Sequence, residues 1–278
     1  MISDNYHVDS LGRNLLGVAR SALENLDLTK TLAIGGDKDI VTAGDIAAEN
    51  AVESYLREQN IPVNLDGEEK RQRKLCANPL GKITLDPIDG TDNYATNTLH
   101  YCTIVTIFDD PDPRTLGEAI WAGIFDHQTQ KEATFHKGRV FFRQNGKDIE
   151  PRPLKIRSIN DLVDGVYLRV FHDLGPRETS DQLKPYDDIL KLSWRKNVSC
   201  AGYHFMEIAY GGRDVAILPC QKPEELVAGI PLIERMGGAV LTFDGKRAGS
   251  LPYDFDKRYQ VVAARTPVLA REIISMIK

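Results

Sequence analysis

The sequence predicts a layered α/β fold, an α+β sandwich in which helix and sheet layers alternate. Three observations carry that reading: amphipathic helical patterns near both ends, short apolar clusters between them, and a return to strand and helix alternation towards the C-terminus. The 278 residues are 42% hydrophobic and 27% charged, which suffices for a sizeable core and excludes a disordered chain. This length admits two packed halves, drawn as an N-terminal α+β lobe over 1–150 and a C-terminal α/β lobe over 151–278.

In chain order, Leu11, Leu15, Val18, Ala19 and Leu23 recur at helical spacing within 11–25, and a second amphipathic pattern runs from Asp45 to Gln59. Apolar clusters bounded by Gly, Pro, Asp or Asn then read as strands at 61–65, 82–85, 102–108, 118–126, 133–142 and 164–170. The segments 111–117 and 143–153 read as a turn and a loop. Beyond them come a helix at 202–211, a strand at 214–219, a helix at 223–236, strands at 239–242 and 259–264, and a helix at 266–277. Gly237-Gly238 follows the third of these patterns as a helix stop, because glycine tolerates a left-handed backbone.

With 35 Lys+Arg against 40 Asp+Glu the net charge is -5, so there is no basic surplus to neutralise nucleic acid. The polar opening segment and the lack of a bilayer-length apolar run predict a cytoplasmic protein with no membrane partner. Cys76, Cys102, Cys200 and Cys220 form no CxxC pair and read as reduced, mostly buried thiols. His100, His127, His136, His172 and His204 are scattered and read as packing or surface residues, and Trp121 and Trp194 as core or interface. The basic run 70–74 reads as a solvated loop, with a lid or an anion-attracting face as alternatives.

Chemistry concentrates in Asp86-Pro87-Ile88-Asp89-Gly90-Thr91, directly after an apolar strand. A strand end delivers Asp86, Pro87 stiffens the turn, Asp89 points back to the same cavity, and Gly90 admits a ligand to the backbone. Taken alone, a D-x-x-D is also a solvated turn. Two carboxylates in one pocket repel, and a divalent cation resolves the conflict. Hard oxygen donors without a His–Cys set favour Mg2+ or Mn2+ over zinc or copper, and the Ile88 carbonyl offers one more oxygen. Gly67-Glu68-Glu69 ends another strand-like segment, so the expectation is a three-carboxylate metal centre. The Gly90-Thr91 step adds N–H groups and a hydroxyl suited to a phosphate.

Over most of its length the chain resembles the inositol monophosphatase superfamily of magnesium-dependent, lithium-sensitive phosphatases, which includes the fructose-1,6-bisphosphatase branch. The resemblance rests on four segments in order: DIVTAGD at 39–45, GEE at 67–69, DPIDGT at 86–91 and the helix ending Glu234-Arg235-Met236-Gly237-Gly238. It implies that Glu68, Asp86, the Ile88 carbonyl and Asp89 hold two or three Mg2+ ions. It implies catalytic roles for Thr91, which orients the attacking water, for Asp45, which accepts the threonine proton, and for Glu68. Asp89 and the amides of Gly90 and Thr91 would bind substrate, joined by the loop Ser199, Cys200 and Ala201.

Two positions depart from the family pattern. Its late Trp-Asp pair falls on Glu224-Glu225, which makes Glu225 the fourth metal carboxylate, as in the fructose bisphosphatase branch. Leu218 stands where inositol phosphatases carry a glutamate that grips inositol hydroxyls. The implied activity is hydrolysis of a phosphomonoester of a small polyol or sugar by in-line attack of an activated water, without a phosphoenzyme. Fructose 1,6-bisphosphate and adenosine 3′,5′-bisphosphate are the alternative substrates, and a homodimer is the implied assembly. A reading from another class is a catalytically weakened, metal-binding regulatory protein. Glu225 and Leu218 would be its signs of drift, while intact Glu68, Asp86, Asp89 and Thr91 argue for an enzyme.

Overall fold

The computed structural model describes residues 1–24, 31–34, 40–96, 100–152, 158–159, 169–172, 184–192, 195–197 and 199–277. Described helices are α1 (Ile2–Asn5), α2 (Val8–Glu24), α3 (Ala43–Glu58), α4 (Thr91–Ala95), α5 (Asp187–Leu192), α6 (Ala201–Tyr210), α7 (Pro223–Arg235) and α8 (Pro267–Met276). A short antiparallel pair, β1 (Thr31–Ile34) and β2 (Ile40–Thr42), leads into α3. Next come β3 (Val63–Gly67), β4 (Arg71–Lys74), β5 (Gly81–Asp89), β6 (Cys102–Phe108), β7 (Ala119–Asp126), β8 (Lys131–His136), β9 (Arg139–Gln144) and β10 (Lys147–Asp148). These form one sheet in the order β10-β9-β8-β7-β6-β5-β3-β4, antiparallel except where β3 runs parallel to β5. A second sheet has the order β12-β11-β13-β15-β14, from β11 (Arg169–His172), β12 (Arg195–Asn197), β13 (Val215–Gln221), β14 (Ala239–Thr242) and β15 (Tyr259–Ala264).

Side-chain alternation sets the layers. Along β13, Ala216 and Leu218 enter the core shared with α6 and α7, while Val215 and Ile217 face the core beneath α8. Val261 and Ala263 of β15 divide from Val262 and Ala264 in the same way. The larger sheet is covered on one face by Leu15, Ala19, Val52 and Leu56 of α2 and α3, and on the other by Phe205, Leu226 and Ile230 of α6 and α7. Five layers result: helices, large sheet, helices, small sheet and helix. The expected layered α/β architecture is what the chain adopts.

Several segments differ from expectation. The cluster at 133–142 is a hairpin, β8–β9, because Lys137 and Gly138 both take positive φ and reverse the chain in two residues. The basic run includes edge strand β4, paired with β3, and Arg73 lies folded against Glu49 and Glu53 of α3 rather than in solvent. Charge on an edge strand is a usual guard against edge-to-edge pairing. Trp121 is core, as expected, and donates its indole N–H to Asp9 Oδ1 at 3.1 Å. Leu218 is fully buried in the central core. Asn25, Asp39, residues 164–168 and Trp194 lie outside the described residues, as does the side chain of His172.

Candidate active site

Asp86 and Asp89 are three apart, which on a regular strand would point them to opposite faces. The β5–β6 ladder breaks this parity: Asp86 pairs with Ile104 but Asp89 with Cys102, so β5 carries one extra residue. That bulge sits at Pro87-Ile88, where proline has no N–H to give the ladder, and the Pro87 carbonyl is taken by Thr103 Oγ1 at 2.8 Å. Both carboxylates consequently turn to one side of the strand, where an oxygen of each lies within 4.8 Å of the other. Parallel pairing of β3 with β5 brings in Glu68, whose amide donates to the Leu85 carbonyl at 3.2 Å.

Three helix starts complete the site. At α3, Thr42 is the N-cap, and Asp45 Oδ2 accepts from the Thr42 amide and hydroxyl, each at 2.7 Å. At α6, the amides of Ala201 (3.3 Å) and Gly202 donate to the two Asp89 oxygens. At α7, the Lys222 amide donates to Glu225 Oε2 at 2.7 Å, a reciprocal use of the third helical residue like that at Asp45. Asp86, Asp89 and Glu225 each offer an oxygen, all within 4.8 Å of one another.

Burial raises Asp86 well above the ordinary carboxylate range, and the neighbouring charges of Glu68, Asp89 and Glu225 add to it. Glu225 is raised by burial and by Asp89. Asp45, Glu69 and Glu224 are pushed up to about 7, 8 and 7, by burial first and then by the Glu68 charge, against two Thr42 hydrogen bonds at Asp45. Asp86 Oδ1 is buried without a hydrogen-bond partner. Such an all-oxygen cluster fits a hard divalent cation, which would neutralise the repulsion and take up the orphaned oxygen.

Thr91 Oγ1 donates to the Ile88 carbonyl at 2.9 Å, so its proton does not go to Asp45, whose Oδ1 is buried without a partner. The capping box of α3 takes the other Asp45 oxygen for Thr42, and the turn carbonyl of Ile88 takes the Thr91 proton. Ser199 Oγ is also buried without a partner, Cys200 caps α6, and the Ala201 amide is committed to Asp89. Sequence reasoning missed Lys222, whose ammonium pairs with Glu68, and Glu49, which accepts the amides of Glu69 (3.1 Å) and Lys70 (3.2 Å) and so holds the glutamate turn. The Thr42-x-x-Asp45 spacing was a legible signal for the cap; Lys222 left none, because its partner lies 154 positions away.

A sequence profile of the inositol monophosphatase family matches residues 10–278. The chain belongs to that family. It is 27% identical over 212 residues to the chloroplastic bifunctional phosphatase IMPL2 of Arabidopsis thaliana, covering 76% of this chain but 57% of that protein. It is 25% identical over 266 residues to the Nus factor SuhB of Xylella fastidiosa, covering 91% and 90% of the two chains. An IMPase/NADP phosphatase solved with Mg2+ and phosphate shares the fold at a TM-score of 0.69 and 18% identity, over 97% of this chain and 92% of that one. Among the described residues of this family member, no helix is long and apolar enough to cross a membrane.

Proposed function

We propose that the protein is a magnesium-dependent phosphatase acting on a phosphomonoester of a small polyol or sugar. The observation that carries the reading is the convergence of Asp86, Asp89 and Glu225 within 4.8 Å around an orphaned Asp86 oxygen, with Glu68 alongside. Glu68, Asp86, Asp89, Glu225 and the Ile88 carbonyl would hold Mg2+, with Mn2+ as the substitute. Magnesium bound there supplies Lewis-acid charge that polarises the phosphoryl group and acidifies a water.

The chain's own groups do the positioning. With its proton spent on Ile88, the Thr91 hydroxyl has only lone pairs left and accepts from the attacking water. The α6 amides hold both Asp89 oxygens, so that carboxylate keeps one orientation through turnover. Asp45, with one oxygen orphaned beside Glu68, is the nearby group suited to take up a proton near neutral pH. A buried Leu218 leaves no carboxylate there to grip a polyol hydroxyl, which favours a sugar phosphate or bisphosphate over inositol phosphate.

The test is phosphate release from inositol phosphate, fructose 1,6-bisphosphate and adenosine 3′,5′-bisphosphate with Mg2+, with EDTA, and with Mg2+ plus Li+. Release that needs Mg2+ and stops with Li+ supports the reading; equal release in EDTA would sink it. One observation favours a second reading, a regulatory protein with weakened catalysis: the Lys222 ammonium already sits on Glu68. No release from any substrate, with Mg2+ binding intact by calorimetry, would select it.

A further inference from the structure

Beside Asp89, two cysteines from distant parts of the chain meet. Cys102 opens β6 opposite Asp89 in the ladder, and Cys200 is the N-cap of α6, whose next two amides hold Asp89. Their sulfurs are 3.8 Å apart, and both residues are buried. A disulfide needs the sulfurs at about 2.05 Å, so this pair would have to close by well over an ångström. Two thiolates on one tetrahedral zinc, at about 2.3 Å each, stand about 3.8 Å apart, which is the spacing already present. An Asp89 oxygen lies within 4.8 Å of both sulfurs.

We infer that Cys102, Cys200 and Asp89 form a site for a single thiophilic cation, of the class of Zn2+ or Cd2+, which shares Asp89 with the all-oxygen site at Asp86 and Glu225. Its ligands are soft where those of the other site are hard, so the two discriminate between cations by donor chemistry. Binding replaces two S–H bonds with two metal–sulfur bonds and releases two protons to solvent; no electron is transferred. Because Asp89 is common to both sites and its orientation is held by the α6 amides, a soft ion there competes with magnesium for the same carboxylate. This last consequence, unlike the site itself, rests on the phosphatase reading.

Cadmium is the probe. The background protein is Cys76→Ser/Cys220→Ser, because those two thiols are partly or fully exposed and would bind the ion themselves. Reduced and stripped of metal, it should develop an ultraviolet thiolate-to-cadmium charge-transfer band that saturates near one equivalent without Mg2+. Adding Cys102→Ser or Cys200→Ser should weaken cadmium binding by at least about 100-fold, with circular dichroism verifying the fold and Cys102→Ala serving as a second variant. No band in the background protein, or a band that survives both serine variants, would overturn the site. In a separate arm, cadmium should inhibit Mg2+-dependent phosphate release from the background protein but spare the Cys102→Ser variant; equal inhibition of both would overturn the link through Asp89. Lack of any phosphate release with Mg2+ would defeat the phosphatase reading alone, since the band does not depend on turnover.

Discussion

A single proline decides how two aspartates meet. Pro87 cannot donate to the ladder, the strand gains a residue there, and Asp86 and Asp89 come to share a face. Each carboxylate is held where its charge is opposed by the others, so function and stability should separate at this scale. Asp86→Asn should lower kcat/KM by about 100-fold or more. The same change should raise the Tm of the EDTA-treated protein by roughly 2–4 °C per kcal/mol of repulsion relieved; an unchanged or lower Tm would show that the cluster is not strained by charge. The Lys222 ammonium pairs with Glu68, and its charge also favours the ionised form of Glu225 against that group's burial. Lys222→Met should therefore tighten Mg2+ binding, by about 10-fold from removal of one nearby positive charge, read by calorimetry.

At the level of elements, three helix starts and two strand ends converge on one point. Thr42 caps α3 by accepting from Gly44 at 3.2 Å and Asp45 at 3.4 Å, and it also anchors the Asp45 carboxylate. Thr42→Ala should cost about 1 kcal/mol from the lost cap, with a pH–rate profile altered as well because Asp45 loses its partner. A helix defect alone would shift Tm and leave that profile in place. Gly202, in the first turn of α6, offers a sharper test. Alanine is the better helix former by about 1 kcal/mol, yet its Cβ would stand 2.8 Å from Asp89 Oδ2 and 2.9 Å from Ile104 Cδ1. Overpacking of about 1–3 kcal/mol wins: Gly202→Ala should weaken Mg2+ binding despite the gain in helix propensity.

Across the whole molecule, the buried acidic cluster should couple metal, pH and stability. Asp45, Glu69 and Glu224 have ordinary values of 3.8, 4.5 and 4.5 and folded values near 7, 8 and 7. A carboxyl raised on folding contributes stability below its unfolded value and loses it as pH climbs through the folded one. Asp9, Glu53 and Asp126, lowered by their partners despite some burial, work the other way but are already ionised above pH 5 in either state. Burial lowers His127 from 6.5 to about 4, which adds stability as pH climbs to about 6.5, so with EDTA the net fall in Tm should lie between about pH 6.5 and pH 8. Mg2+ at about 100 times its Kd should restore about 2.7 kcal/mol and flatten the slope. A metal-free Tm that climbs across that range would contradict the raised values.

The sequence by itself determined the elements that local chemistry dictates. The helical patterns of α3 and α7 were legible from their apolar spacing, and β6, β14 and β15 as short apolar runs because those strands are buried on both faces, and DPIDGT, GEE and the family pattern pointed to a carboxylate metal site. Only the tertiary structure decided which carboxylates meet, because the parity of Asp86 and Asp89 depends on a bulge set by pairing with β6. It alone placed Lys222 on Glu68, gave the Thr91 proton to Ile88 rather than Asp45, and set Cys102 against Cys200. The first and last of these contacts join residues roughly a hundred or more positions apart. Local propensity carries no information about which strand ends and helix starts will face one another; that is settled when five layers bury their apolar faces together.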